Sequence, residues 1–111
     1  VAALRGELAR QPFAAPEAAR LRELGLDSKA VAAAARAGLL LRITEHVVLA
    51  PGADQEATRR LAQLPQPFTA AQARQALGTT RRVAIPLLEY LDRSGATRRL
   101  PDDRRVLASQ G

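Results

Sequence analysis

Cysteine is absent from this chain of 111 residues, and histidine and aromatic residues are scarce. Without cysteine there is neither a disulfide framework nor a cysteine-based zinc site, and we expect a reducing, cytoplasmic location. The aromatic residues are Phe13, Phe68 and Tyr90, so a core has to be assembled from many small aliphatic contacts. The hydrophobic content of 47% is sufficient for such a core and excludes a disordered segment.

Groups for catalysis are few as well. His46 is the only histidine, and a nucleophile pair with Thr44 would lack a third group to orient it. The glycine-rich phosphate loops of nucleotide-binding proteins do not occur. The neighbouring carboxylates Asp102 and Asp103 follow Pro101, which predicts a solvated turn tip and not a metal site. We therefore expect this segment to be no enzyme and to hold no metal and no cofactor.

Long apolar stretches and a signal-peptide pattern are also missing, so we expect no membrane contact. Because the chain does not begin with Met, we expect a fragment or a processed product whose activity depends on further segments. A monomer is the expected state.

Positive charge is in excess, with 17 basic and 11 acidic residues and a formal net charge of +6. Such an excess favours polyanionic partners such as nucleic acid or anionic lipid. All basic residues but Lys29 are arginine, whose planar fork suits phosphates and base edges, although genome composition produces the same bias. Residues 1–52 hold seven basic and five acidic residues, whereas residues 53–111 hold ten and six.

An internal repeat gives the architecture. Gln11-Pro12-Phe13 recurs as Gln66-Pro67-Phe68. In each copy, glycines then end two helical stretches: Leu24-Gly25 and Gly38 in the first copy, Leu77-Gly78 and Gly95 in the second. Each copy closes with a short apolar and basic run that is typical of a hairpin. We place the boundary between the copies near Gly52.

The second copy predicts three helices and a hairpin. The first helix runs from Asp54 to Leu64, and a capping box of Thr69 and Gln72 opens the second, which ends near Leu77. Capping by Thr79 or Thr80 starts a third helix that reaches Arg93 or Ser94, with a kink or loosened turn at Pro86 and an end at Gly95. The hairpin strands are Ala96–Leu100 and Arg104–Ala108.

The first copy follows the same plan. Its predicted elements are a helix near Ala2–Arg10, a second with Pro16 in its first turn, a third capped by Asp27 or Ser28, and strands Leu40–Thr44 and His46–Ala50. Three helices and a two-stranded hairpin, with a tight glycine turn between the second and third helices, describe a winged helix-turn-helix. The predicted fold is thus mainly α with short β-hairpins, arranged as two tandem winged helix-turn-helix modules over residues 1–52 and 53–111.

Two basic surfaces of the second module are candidates for binding. Thr80, Arg81 and Arg82 lie at the start of the third helix, and the wing carries Arg98, Arg99, Arg104 and Arg105. These are the surfaces with which winged-helix proteins meet a duplex. Arginine at a helix start opposes the helix dipole, which supports a binding role, although plain solvation near Glu89 and Asp92 remains open. The first module has only Asp27-Ser28-Lys29 there and an alanine-rich helix, so we expect it to serve as a packing or spacer element.

The two phenylalanines have alternative roles. Phe13 and Phe68 have the chemistry to stack on bases. Each follows a proline just before a helix, however, which favours a hydrophobic staple into its own core.

A long segment resembles the last winged-helix module of the bacterial selenocysteine-specific elongation factor family. It comprises Pro67-Phe68-Thr69, the run Gly78-Thr79-Thr80-Arg81-Arg82-Val83-Ala84-Ile85-Pro86-Leu87-Leu88-Glu89-Tyr90-Leu91-Asp92-Arg93, and Thr97-Arg98-Arg99. The upstream Leu24-Gly25-Leu26 and Gly38-Leu39-Leu40 are similar to the preceding module of the same tail. The likeness therefore extends over nearly the whole chain.

The resemblance implies an adaptor. In that family a GTPase carries selenocysteinyl-tRNA, and the C-terminal modules bind an mRNA hairpin, the selenocysteine insertion element. The resemblance implies RNA contacts at Arg81 and Arg82, with Thr80 beside them. It also implies that the ribosome and the tRNA are partners of an N-terminal part that is missing here. A winged-helix DNA-binding regulator and a protein-interaction scaffold are the alternatives.

Overall fold

Three helices and a two-stranded hairpin follow one another twice in residues 1–108, the part of the chain that the computed structural model describes. The chain divides into two compact units between Ala53 and Asp54. The first contains α1 (Ala2–Arg10), α2 (Ala18–Glu23), α3 (Ser28–Arg36), β1 (Leu41–Thr44) and β2 (Val47–Leu49). The second contains α4 (Ala53–Leu61), α5 (Ala70–Leu77), α6 (Arg81–Ser94), β3 (Thr97–Arg99) and β4 (Arg105–Leu107), although α4 begins at the dividing residue itself. The predicted mainly helical fold with short antiparallel hairpins is confirmed. None of the described helices is long and apolar enough to cross a bilayer.

The first unit packs its helices on small aliphatic residues and one phenylalanine. Leu4 and Leu8, one turn apart on α1, are buried, and so is Phe13. The predicted cap of α3 is found, because the Asp27 carboxylate accepts a 2.8 Å hydrogen bond from the Ala30 N–H. Pro16 lies outside α2, whose N-cap is Glu17, so the prediction that it occupies the first turn was wrong. The second helix, α2, therefore begins only after this proline.

In the second unit, side-chain hydrogen bonds lie at the end of α4 and at the start of α5. α4 ends at Leu61, earlier than the predicted Leu64, and the Gln66 side-chain amide donates to the carbonyls of both residues at 3.2 and 3.0 Å. Thr69 and Gln72 form the predicted capping box through hydrogen bonds of 3.1 and 2.8 Å. Because these bonds satisfy two backbone donors, the start of α5 is fixed next to the core.

The longest helix, α6, supplies the centre of this unit. Val83, Ala84, Leu87, Leu88 and Leu91 form its buried stripe. The helix continues through Pro86 without interruption and ends at Gly95, whose φ of 85° is the left-handed conformation that glycine adopts without strain. The hairpin that follows has Thr97 opposite Leu107 and Arg99 opposite Arg105.

Candidate nucleic-acid interface

The start of α6 presents exposed cations beside a tight turn. Gly78, with a φ of 62°, ends α5 and lets the chain reverse within two residues. Thr80 is the N-cap of α6, but its side chain makes no capping hydrogen bond. Arg81 and Arg82 follow on the exposed face, while Val83 and Ala84 turn into the core. Both arginine side chains therefore lie on the outer side of the helix start.

Arg81 is not stabilised by its own helix. Within residues 1–108 its side chain makes no ion pair or hydrogen bond. A cation in the first helical turn also opposes the helix dipole, at a cost of a few tenths of a kcal/mol. The residue is therefore available to an anion supplied from outside.

The tip of the wing carries two paired arginines. Arg99 donates to Asp103 and Arg104 to Asp102, each over 2.8 Å. All four side chains are about half exposed or more, and exposed ion pairs contribute only about 0–1 kcal/mol, so a phosphate can replace either carboxylate at little cost. The backbone N–H and guanidinium of Arg104 lower the pKa of Asp102. The predicted solvated turn tip is thus confirmed.

Arg98 differs from its neighbours on the wing. It is exposed and, among the described residues, makes no ion pair. Its neighbour Thr97 points inward and is 2% exposed. Because side chains alternate along a strand, the inward Thr97 directs Arg98 to the outer surface.

Arg105 does not belong to the surface, and the prediction that it binds RNA needs correction. Only 5% of this residue is exposed, and its Nε donates to both Asp92 carboxylate oxygens at 3.2 and 3.0 Å. A buried cation that is already paired cannot reach a phosphate without breaking this contact. The candidate interface therefore consists of two groups, to which we refer as the helix-start group (Thr80, Arg81, Arg82) and the wing group (Arg98, Arg99, Arg104).

Asp92 and Thr97 were not among the predicted site residues, and no spacing rule indicates the hydrogen bonds of Thr97 and Arg105 to Asp92. Phe13 and Phe68 are 2% and 1% exposed, so both rings lie in the core and are not available for base stacking. Among residues 1–108 no cluster of three His, Asp or Glu residues is placed to hold a metal ion.

Comparison with known proteins identifies the family. A family model described as elongation factor SelB, winged helix, matches residues 59–106, which include both groups. No curated protein sequence matches significantly. A bacterial selenocysteine-specific elongation factor, EF-Sec, superposes with a TM-score of 0.74 at 24% identity, over 96% of this chain and 18% of its own length.

The mRNA-binding domain of elongation factor SelB from E. coli, solved in complex with SECIS RNA, superposes with a TM-score of 0.67. It is 30% identical, and the match covers 80% of this chain and 78% of that domain. The chain thus spans a small part of the full factor but most of the mRNA-binding domain. It belongs to the family of SelB, the selenocysteine-specific elongation factor.

Proposed function

We propose that the chain binds an mRNA hairpin of the selenocysteine insertion type through the helix-start group and the wing group of its second unit. The main support for this proposal is that the exposed arginines lie within the segment that matches the family. Five of the seven exposed arginines of the second unit lie at the start of α6 and on the wing, and these positions fall inside the residues that match the SelB winged helix. The relative that matches 80% of this chain is a domain in complex with SECIS RNA.

The cations suit a folded RNA better than a sequence-read duplex. The major groove of A-form RNA is too deep and narrow for a helix, so proteins recognise such hairpins by shape, phosphates and unstacked bases. Arg81 provides a charge at the end of a helix, and Arg98 a second on a separate element. Two such elements grip phosphates on different strands of a stem or loop.

Both units have the same order of elements, and we propose that both are winged-helix modules with different tasks. The first has Asp27, Ser28 and Lys29 where the second has the helix-start group, and the Asp27 carboxylate is engaged in capping α3. We assign residues 53–111 to RNA binding and residues 1–52 to packing or spacing. The matched factor is far longer than this chain, so a preceding part would contain the GTPase and carry selenocysteinyl-tRNA to the ribosome, and RNA binding would tether it to the message.

The test is a titration of the chain at several salt concentrations. The probes are a SECIS hairpin from a selenoprotein message of the source organism, a hairpin of the same length with scrambled loop and bulge, and a DNA duplex. Preference for the SECIS hairpin that persists at about 0.15 M salt supports the proposal. Equal binding to all three would reduce the surface to a general polyanion site, preference for DNA would indicate a transcription regulator, and absence of binding would favour a protein scaffold.

A further inference from the structure

The carboxylate of Asp92 joins α6 to both strands of the wing. It accepts a 2.6 Å hydrogen bond from the hydroxyl of Thr97, at the start of β3. It also accepts two bonds, of 3.2 and 3.0 Å, from Nε of Arg105, at the start of β4. Thr97 and Arg105 are buried, and Asp92 is 22% exposed. One side chain of the helix therefore holds two strands at once.

The backbone of Arg105 is fixed to a third element. Its N–H donates to the carbonyl of Phe68, and its carbonyl accepts from the N–H of Phe68, each at 2.9 Å. Phe68 is buried and directly precedes Thr69, the N-cap of α5. The side chain of Arg105 thus reaches α6 while its backbone holds the segment that leads into α5.

A buried ion pair contributes little net stability to a fold. Because two charges leave water, a well-packed apolar pair of similar volume often stabilises a fold as much or more. The polar arrangement instead restricts geometry, because three hydrogen bonds to one carboxylate can form only in a narrow range of orientations. This arrangement therefore determines the orientation of the wing relative to α6.

That orientation governs where Arg98 lies. Arg98 follows Thr97 directly and is opposite Val106, the neighbour of Arg105. If Thr97 lost its hydrogen bond to Asp92, the start of β3, the strand that carries Arg98, would be released from α6, the helix that carries Arg81. The two cations could then no longer engage one rigid RNA simultaneously.

We propose that Asp92 is a positioning residue for RNA binding, which holds the wing so that Arg98 and Arg81 contact the same hairpin. This inference rests on the proposed function. It differs from a purely structural role because it predicts a specific coupling: Asp92 supports the contribution of Arg98 and has no influence on that of Arg81.

A double-mutant cycle measures this coupling. The affinity for the SECIS hairpin is determined for Arg98→Ala and for Arg81→Ala, each in the unchanged chain and together with Asp92→Asn. We expect each single arginine substitution to weaken binding about tenfold in the unchanged chain. With Asp92→Asn, Arg98→Ala should change affinity less than about threefold, whereas Arg81→Ala should still cost about tenfold. A general loss of folding would diminish both contributions alike.

Asp92→Asn leaves a buried arginine without its counter-charge, so a milder variant runs in parallel. Thr97→Val removes one hydrogen bond and retains the ion pair, and circular dichroism identifies which background is folded. In the folded background, an Arg98→Ala loss equal to that in the unchanged chain would overturn the positioning role, even with specific RNA binding intact. If the unchanged chain does not prefer the SECIS hairpin, the proposed function itself fails.

Discussion

Arg81 offers the sharpest test of the interface, because its side chain is exposed and makes no ion pair within residues 1–108. Arg81→Ala should therefore remove a phosphate contact and leave the fold intact. Each phosphate neutralised contributes about 0.7–0.9 to the slope of log affinity against log salt concentration. The substitution should lower the magnitude of that slope by about this amount.

The effect is large enough to measure. Between about 50 and 200 mM salt, one contact contributes roughly a threefold fall in affinity, so the variant should be less sensitive to salt by this factor. Fluorescence anisotropy of a labelled SECIS hairpin at four salt concentrations gives both slopes. The melting temperature should remain unchanged or rise slightly, because the lost cation opposes the dipole of α6 by a few tenths of a kcal/mol.

Arg93 provides the matched control. It lies on the same helix, is exposed, and makes no ion pair in the described part of the chain. Arg93→Ala changes the net charge equally but at the opposite end of α6. We expect its slope to remain at the value of the unchanged chain. An equal reduction in both variants would show that the RNA responds to total charge, and an unchanged slope for Arg81→Ala would refute the assigned contact.

Three further predictions concern the fold around the interface. Phe68→Ala should lower the free energy of unfolding by about 3–5 kcal/mol in urea denaturation, because the side chain is 1% exposed in the core. Thr69→Ala removes the capping box with Gln72 and should cost about 1 kcal/mol in the same assay, whereas Thr69→Ser should retain most of it. The pKa of Asp102 is lowered by hydrogen bonds from the N–H and guanidinium of Arg104, so the turn that they stabilise should be intact above the ordinary value of 3.8 and lost as pH falls through the lower folded pKa. An Arg104 amide resonance in NMR that is insensitive to pH below 4 would contradict this last prediction.

Local chemistry was predictable from the sequence. The capping box of Thr69 and Gln72 joins residues three apart, and Gly78 and Gly95 end helices in conformations that other residues avoid. The strands of the second hairpin are shorter than predicted at both ends, but their centres are correct. These features depend on neighbours in the chain, so pattern and spacing suffice to find them.

The errors arose at contacts that spacing does not reveal. The end of α4 was predicted three residues too late, because the backbone already forms a turn at residues 62–64, where the Gln66 side chain bonds to the Leu61 and Leu64 carbonyls. Arg105 was assigned to the surface because it follows Arg104 directly and the strand pattern leaves its side undecided. Its partner Asp92 is 13 residues away on another element, and only the folded chain brings the two together.

The same distinction decides which arginines contribute to binding. Among the arginines of the second unit, those that pair with carboxylates include Arg59, Arg60, Arg99, Arg104 and Arg105. An RNA phosphate that takes Arg104 replaces the exposed pair with Asp102, which costs up to about 1 kcal/mol. At Arg81 it displaces water alone. Arg81 should therefore supply more of the affinity than either arginine of the wing tip, and a sum of charges along the sequence cannot reveal this inequality.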